Sequence, residues 1–143
     1  MKKTILIING PNLNLLGKRE PEIYGNQTLE AVMGGLVTLF PDINFEFVQS
    51  NHEGVIVDRL NACVEKAPDG IIINGGAFTH YSYSIYDALK MLNLPKVEVH
   101  ISHIFNREEF RKTSVIAPAC DTMISGAGVL GYELAVRAIL KNE

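Results

Sequence analysis

The sequence holds no tryptophan and only two cysteines among its 143 residues. Cys63 and Cys120 are too few for a disulfide framework and form no metal-ligand spacing. Long apolar runs are also missing. Ile5–Ile8 is typical of the longest, far short of the roughly 20 residues that span a bilayer, so no membrane span is expected. Met1-Lys2-Lys3-Thr4 resembles the basic start of a signal peptide, but Asn9-Gly10-Pro11-Asn12 ends the apolar stretch too early for one. With no export signal, the reducing cytoplasm is the expected compartment. An excess of positive charge is absent as well. Thirteen Lys and Arg against 16 Asp and Glu give a net charge of −3, which argues against nucleic acid as the main partner. There are no repeats, linkers or low-complexity segments, so residues 1–143 read as a single domain.

What is present is an ordinary globular composition, 47% hydrophobic and 20% charged, in which strand and helix patterns alternate. Thr4–Ile8 is a continuous apolar run and reads as a buried strand. After a long polar stretch, Thr28 can cap a helix carrying Leu29, Val32, Met33, Leu36, Leu39 and Phe40 at helical spacing. Phe45–Gln49 reads as a half-exposed strand. Ser50-Asn51-His52-Glu53 fits a capping box before a helix that turns Val55, Ile56, Leu60 and Val64 inward. Gly70–Ile73, Val97–Val99 and Thr122–Ser125 read as strands. Ser82–Leu92, a short charged Arg107–Lys112 and Val129–Leu140 read as helices. Such alternation implies an α/β fold with a parallel sheet between helices. Five strands at this length fit a flavodoxin-like three-layer arrangement of order 2-1-3-4-5.

In an open parallel sheet, ligands bind beyond the carboxyl ends of the strands. Strand one is followed by a long loop through Asn12, Arg19 and Tyr24. Strand three is followed by Asn74-Gly75-Gly76-Ala77-Phe78-Thr79-His80, and strand four by His100-Ile101-Ser102-His103, Arg107 and Arg111. In the order 2-1-3-4-5 these three strands are neighbours and their polar tails converge, whereas the tails of strands two and five are blander. Arg19 and Tyr24 are close enough for a folded loop to join them. A guanidinium favours the phenolate over a phenol of ordinary pKa near 10, so the pair is either a catalytic base or a stacked surface pair. Glu98 and His100 share one face of a strand. They read either as a satisfied core histidine or as a general acid held by a carboxylate. Ser102 and the backbone at Ile101 can donate to a carboxylate, and Arg111 can add charge.

Other chemistries lack their signatures. Gly75-Gly76 does not have dinucleotide-loop spacing, and there is no P-loop and no Gly-x-Ser-x-Gly elbow. His52, His80, His100 and His103 show no metal-ligand spacing. No lysine lies in an apolar strand, so a Schiff base has no evident candidate. The fold class also admits a flavin- or nucleotide-binding module, or a catalytically dead interaction domain.

Taken in order, these segments resemble type II 3-dehydroquinate dehydratase, also called type II dehydroquinase. They are Asn9-Gly10-Pro11-Asn12-Leu13 through Arg19-Glu20-Pro21 and Tyr24-Gly25, then Gln49-Ser50-Asn51-His52-Glu53-Gly54. Asn74-Gly75-Gly76-Ala77 with Thr79-His80, Glu98-Val99-His100-Ile101-Ser102, and Arg107-Glu108-Glu109-Phe110-Arg111 complete the set. The resemblance implies conversion of 3-dehydroquinate to 3-dehydroshikimate in the shikimate pathway to aromatic amino acids, with no cofactor and no metal. It makes Tyr24 the base with Arg19 beside it, His100 the acid oriented by Glu98, and Asn12 a donor region for an enolate. It carries over Asn74, His80, Ile101, Ser102 and Arg111 as substrate contacts, with Asp87 reaching in from a neighbouring subunit. It also implies a dodecamer built of trimers. Gly75, where alanine is common, and Tyr86, where a basic residue is frequent, depart from the family pattern.

Overall fold

Isoleucine and valine crowd the pleat of a strand with little loss of side-chain freedom, and the sheet is built from such runs. In a computed structural model of the chain, which describes residues 2–141, five strands form one all-parallel sheet. They are β1 (Lys3–Asn9), β2 (Ile43–Gln49), β3 (Gly70–Asn74), β4 (Lys96–His100) and β5 (Thr122–Ser125). Their order is β2-β1-β3-β4-β5, as the alternation of elements predicts. β3 and β4 are buried along their whole length, whereas the edge strands β2 and β5 are largely half-buried.

Five helices accompany the sheet: α1 (Pro21–Tyr24), α2 (Leu29–Leu39), α3 (Glu53–Ala62), α4 (Tyr83–Lys90) and α5 (Leu130–Lys141). Because successive strand residues point to opposite faces, β1 feeds two cores. Ile5 and Ile7 pack with Val32, Met33 and Leu36 of α2 and with Tyr132, Ala135 and Val136 of α5. Leu6 and Ile8 pack with Ile56 and Leu60 of α3 and with Ile85, Ala88 and Leu89 of α4.

Local readings hold less well than the architecture. The capping box does not form. Ser50 Oγ accepts from His52 N at 2.9 Å, while Glu53 reaches across to α4, accepting from Ser84 Oγ at 2.8 Å and from Ser82 Oγ. On α3 only Ile56 and Leu60 of the four expected apolar residues are buried. Val55 and Val64 are exposed, as is Leu39 on α2. Val55 stands one residue, about 100° of rotation, from the inward Ile56, and Val64 lies beyond the helix end. The expected Arg107–Lys112 helix is instead a short 3-10 turn over Glu109–Lys112, with another just before it at Ile104–Asn106. Lys96 is a further correction, since it opens β4 and is 7% exposed. Its ammonium donates to the carbonyls of Leu89 and Leu92 at 2.7 and 2.6 Å, caps the end of α4, and is pulled below its ordinary pKa by burial. It sits at the amino end of β4, opposite the polar loops.

At the carboxyl end of the sheet β1 and β3 nearly touch. Gly10 N donates to Asn74 O at 2.7 Å, and a Cβ at Gly10 would lie 2.3 Å from Gly75 O. Only glycine lets the chain leave β1 at this point.

Candidate active site

The loops after β1, β3 and β4 meet in one cavity beyond the carboxyl ends of the strands. Asn12, Arg19, Tyr24, Asn74, His80, His100, Ile101, Ser102 and Arg111 all line it, and so does Arg107. Of the residues named from sequence, only Glu98 and Asp87 are outside this lining. Glu98 is fully buried behind His100. Asp87 is exposed on α4 and contributes nothing to the cavity of its own chain.

The β1 loop is ordered by its backbone. Asn12 adopts a left-handed conformation, φ 68°, which asparagine tolerates better than most residues. Its N–H donates to Asn51 Oδ1 at 2.9 Å, and Gln49 Nε2 donates to Gly10 O at 3.1 Å. The tail of β2, bland in sequence, thus fixes the start of the loop. Further on, Pro21 opens α1, a single turn that delivers Tyr24 to the cavity.

Tyr24 is flanked by two guanidinium groups. Arg19 lies 5.2 Å and Arg107 5.3 Å from its ring centroid. The hydroxyl itself is met by Arg107, whose Nη1 donates to the phenol oxygen at 2.7 Å and to Ser102 Oγ at 3.1 Å. Since Ser102 accepts there, its own proton remains free to donate to a ligand. Arg111 donates from Nε to Glu108 at 3.0 Å, and that bond holds the Glu108 carboxyl below the usual carboxylate range. Three guanidinium groups at one mouth make a site for an anion such as a carboxylate.

Two histidines of the cavity lie face to face, ring centroids 6.4 Å apart and planes 21° apart. His100 Nε2 is 2.5 Å from Glu98 Oε2, which leaves Nδ1 for a ligand. Ser114 Oγ lies 2.9 Å from each oxygen of the same carboxylate. His80 Nδ1 is 2.7 Å from the Thr113 carbonyl. Burial above all pulls the His80 ring below its ordinary pKa of 6.5, with the charges of His100 and Arg111 adding and the Thr113 bond and Glu98 opposing. The ring is therefore neutral at neutral pH.

Beneath the cavity, Tyr132 of α5 is fully buried. Its hydroxyl donates to Asn9 Oδ1 at 2.6 Å and accepts from Asn74 Nδ2 at 2.9 Å. Asn74 Oδ1 in turn accepts from Gly76 N at 3.2 Å, so the amide has one orientation. Ser125 of β5 donates to the Ser102 carbonyl and accepts from Ile104 N, both at 3.2 Å. Tyr132, Ser114 and Ser125 carry no local signal in the sequence, because each acts across a long chain separation. Arg107 is visible there as one of several clustered cations, but not as the partner of Tyr24. Neither thiol belongs to the site. Burial raises both, Cys120 to about 12, so neither is a ready nucleophile.

The arrangement can remove a proton at a phenol held among cations, protonate a leaving group from an imidazole, and bind an anion. Comparisons with known proteins place the whole chain. Residues 3–140 match the family model described as Dehydroquinase class II. The chain is 55% identical over 141 residues to the 3-dehydroquinate dehydratase of Caldicellulosiruptor saccharolyticus, with 96% of each chain covered. It is 53% identical over 144 residues to that of Thermotoga maritima, with 96% and 95% covered. Among solved structures, the type II dehydroquinase of Butyrivibrio crossotus superposes with a TM-score of 0.94 at 46% identity, with 97% of this chain and 98% of that one covered. The type II dehydroquinase of Propionibacterium acnes gives the same TM-score at 38% identity, with 99% and 98% covered.

Proposed function

From the premise that the chain belongs to the class II dehydroquinase family, we propose that it is a hydro-lyase that removes water from 3-dehydroquinate to give 3-dehydroshikimate, in the shikimate pathway to aromatic amino acids. The observation that carries the reading is that Tyr24, held by Arg107 and Arg19, and His100, backed by Glu98, line the same cavity.

The reaction needs a base, a place for negative charge and an acid. The proton removed lies beside the ketone and passes to the Tyr24 phenolate. A cationic donor on a phenol oxygen favours its anion, and Arg107 Nη1 is such a donor at 2.7 Å. The electron pair left behind forms an enolate whose oxygen is stabilised by donors around Asn12. When the enolate collapses, the carbon–oxygen bond to the leaving hydroxyl breaks. His100 supplies the proton that lets this oxygen depart as water, and Glu98 behind the ring stabilises the imidazolium. Arg111, Ser102 and the Ile101 backbone bind the substrate carboxylate, while Asn74 and His80 contact its oxygens. The Arg19–Tyr24 loop closes over the substrate and excludes water.

The test is direct. The product is a conjugated enone, so mixing protein with 3-dehydroquinate raises ultraviolet absorbance. No rise anywhere between about pH 6 and 9, the range over which such an acid and base operate, would refute the proposal.

A further inference from the structure

One segment reaches His80 directly and His100 through Glu98 without lining the cavity. Thr113 ends the Glu109–Lys112 turn in extended conformation, φ −107° and ψ 128°, and Ser114 follows it. The pair is tied down on both sides. Val115 N donates to Thr79 O at 2.8 Å, which fastens it to the turn carrying His80. Ala117 N donates to Ser114 Oγ at 3.0 Å. Because Ser114 Oγ accepts from Ala117, its own proton points to Glu98, 2.9 Å from both carboxylate oxygens.

Resting on the dehydratase reading, we propose that Thr113–Ser114 is a positioning strap: Thr113 holds the proton of neutral His80 on Nδ1, so that its Nε2 accepts, and Ser114 holds the Glu98 carboxylate that takes His100 Nε2–H, so that the protonated His100 ring donates from Nδ1 toward the substrate. A backbone carbonyl can only accept, so His80 Nδ1 at 2.7 Å from Thr113 O must hold a proton. The neutral ring then presents an unprotonated Nε2, an acceptor for a hydroxyl of a polyhydroxylated substrate. His100 is bound the other way round. Its Nε2 donates to Glu98, and Nδ1 presents the proton that leaves with the hydroxyl. Ser114 tunes this second ring through the carboxylate. A hydroxyl donor stabilises the Glu98 anion and draws charge away from the bond to His100, so the imidazolium releases its proton more readily than it would to a carboxylate with no other partner.

The groups facing each ring agree with this division. His80 meets the Thr113 carbonyl, the His100 ring, the edge of Phe110 at 5.9 Å and the charges of Arg111 and Glu98. Burial and the neighbouring cations keep it neutral. His100 meets Glu98 on its own strand, His80 from the β3 turn, and Tyr24, Arg19, Arg107 and Arg111 across the cavity.

The experiment compares wild type, Ser114→Ala and Ser114→Thr, with histidine ring nitrogens labelled and followed by NMR across pH, alongside kcat profiles. In wild type the neutral His80 ring carries its proton on Nδ1. In Ser114→Ala the His100 ring signals titrate at higher pH than in wild type. The alkaline limb of kcat moves the same way, by about half a pH unit or more, and the maximal kcat falls. Ser114→Thr keeps the hydroxyl and stays close to wild type. A neutral His80 with its proton on Nε2 overturns the proposal. So does an alanine variant that melts earlier but leaves both the ring titrations and the kcat limb in place, since that is the signature of a merely structural serine. The ring signals need no turnover, so a wild-type protein inactive on 3-dehydroquinate refutes the reading of function separately from the strap.

Discussion

Tyr24 is held by partners of very different chain distance. Arg19 stacks on its ring from five residues away, and Arg107 meets its oxygen from 83 residues away. The nearer pairing is legible in the sequence because a folded loop brings such neighbours together, whereas the farther one needs β4 and its following turn in place. The chemistry falls to the group on the oxygen, since a guanidinium hydrogen-bonded there offsets the charge of the phenolate directly. Tyr24→Phe is expected to keep the wild-type melting temperature and to lose about 10²–10⁴-fold in kcat, the usual worth of a positioned base. Arg107→Gln has a distinct signature. With the donor gone, the phenolate loses the hydrogen bond that offsets its charge, so kcat falls by about tenfold or more while the melting temperature stays at the wild-type value. An Arg107→Gln profile that overlays the wild type would remove this arginine from the mechanism.

Elements that contribute no reacting group nevertheless decide where the reacting groups stand. The polar tails of β2 and β5 read as bland, yet Gln49 and Asn51 fix the turn at Asn12, and Ser125 clamps Ser102 and Ile104. The strand order is legible because alternating elements with right-handed crossovers leave few arrangements. The capping box at Ser50 is misread because Glu53 finds two hydroxyls on α4, and a tertiary partner outweighs a local one. Tyr132 is the furthest-reaching case. It lies within the expected Val129–Leu140 helix, and nothing in a sequence says that its hydroxyl joins Asn9 of β1 to Asn74 of β3. Tyr132→Phe removes the acceptor of Asn74 and the donor to Asn9 and leaves both amides buried. Each unsatisfied group costs about 1–3 kcal/mol, so urea melts should show a loss of about 2–6 kcal/mol in total. A loss under about 0.5 kcal/mol would mean that the amides pair without it.

At the scale of the whole molecule, a net charge of −3 conceals a positive mouth where Arg19, Arg107 and Arg111 gather. No helix among the described residues is long and apolar enough to cross a membrane. Asp87 is the one residue carried over from the family that neither lines the cavity nor bonds a residue that does. It lies on the exposed face of α4, four residues from Tyr83, which is 69% exposed. Residues spaced i and i+4 share a helix face, so Asp87 and an uncovered tyrosine, a residue type enriched at interfaces, point the same way. If Asp87 completes a neighbour's cavity in a trimer-based dodecamer, two inactive variants should rescue one another. Asp87→Ala chains keep Tyr24 and lack the donated carboxylate, and Tyr24→Phe chains supply it. Unfolded together and reassembled in equal amounts, they place an intact Tyr24 beside an intact Asp87 in about one site in four by random pairing around a cyclic interface. Activity should recover to about a quarter of wild type, while either variant alone stays inactive. No recovery from an assembly shown by light scattering to contain both chains would mean that each subunit works alone. A clean 15.8 kDa monomer would remove the donated aspartate altogether.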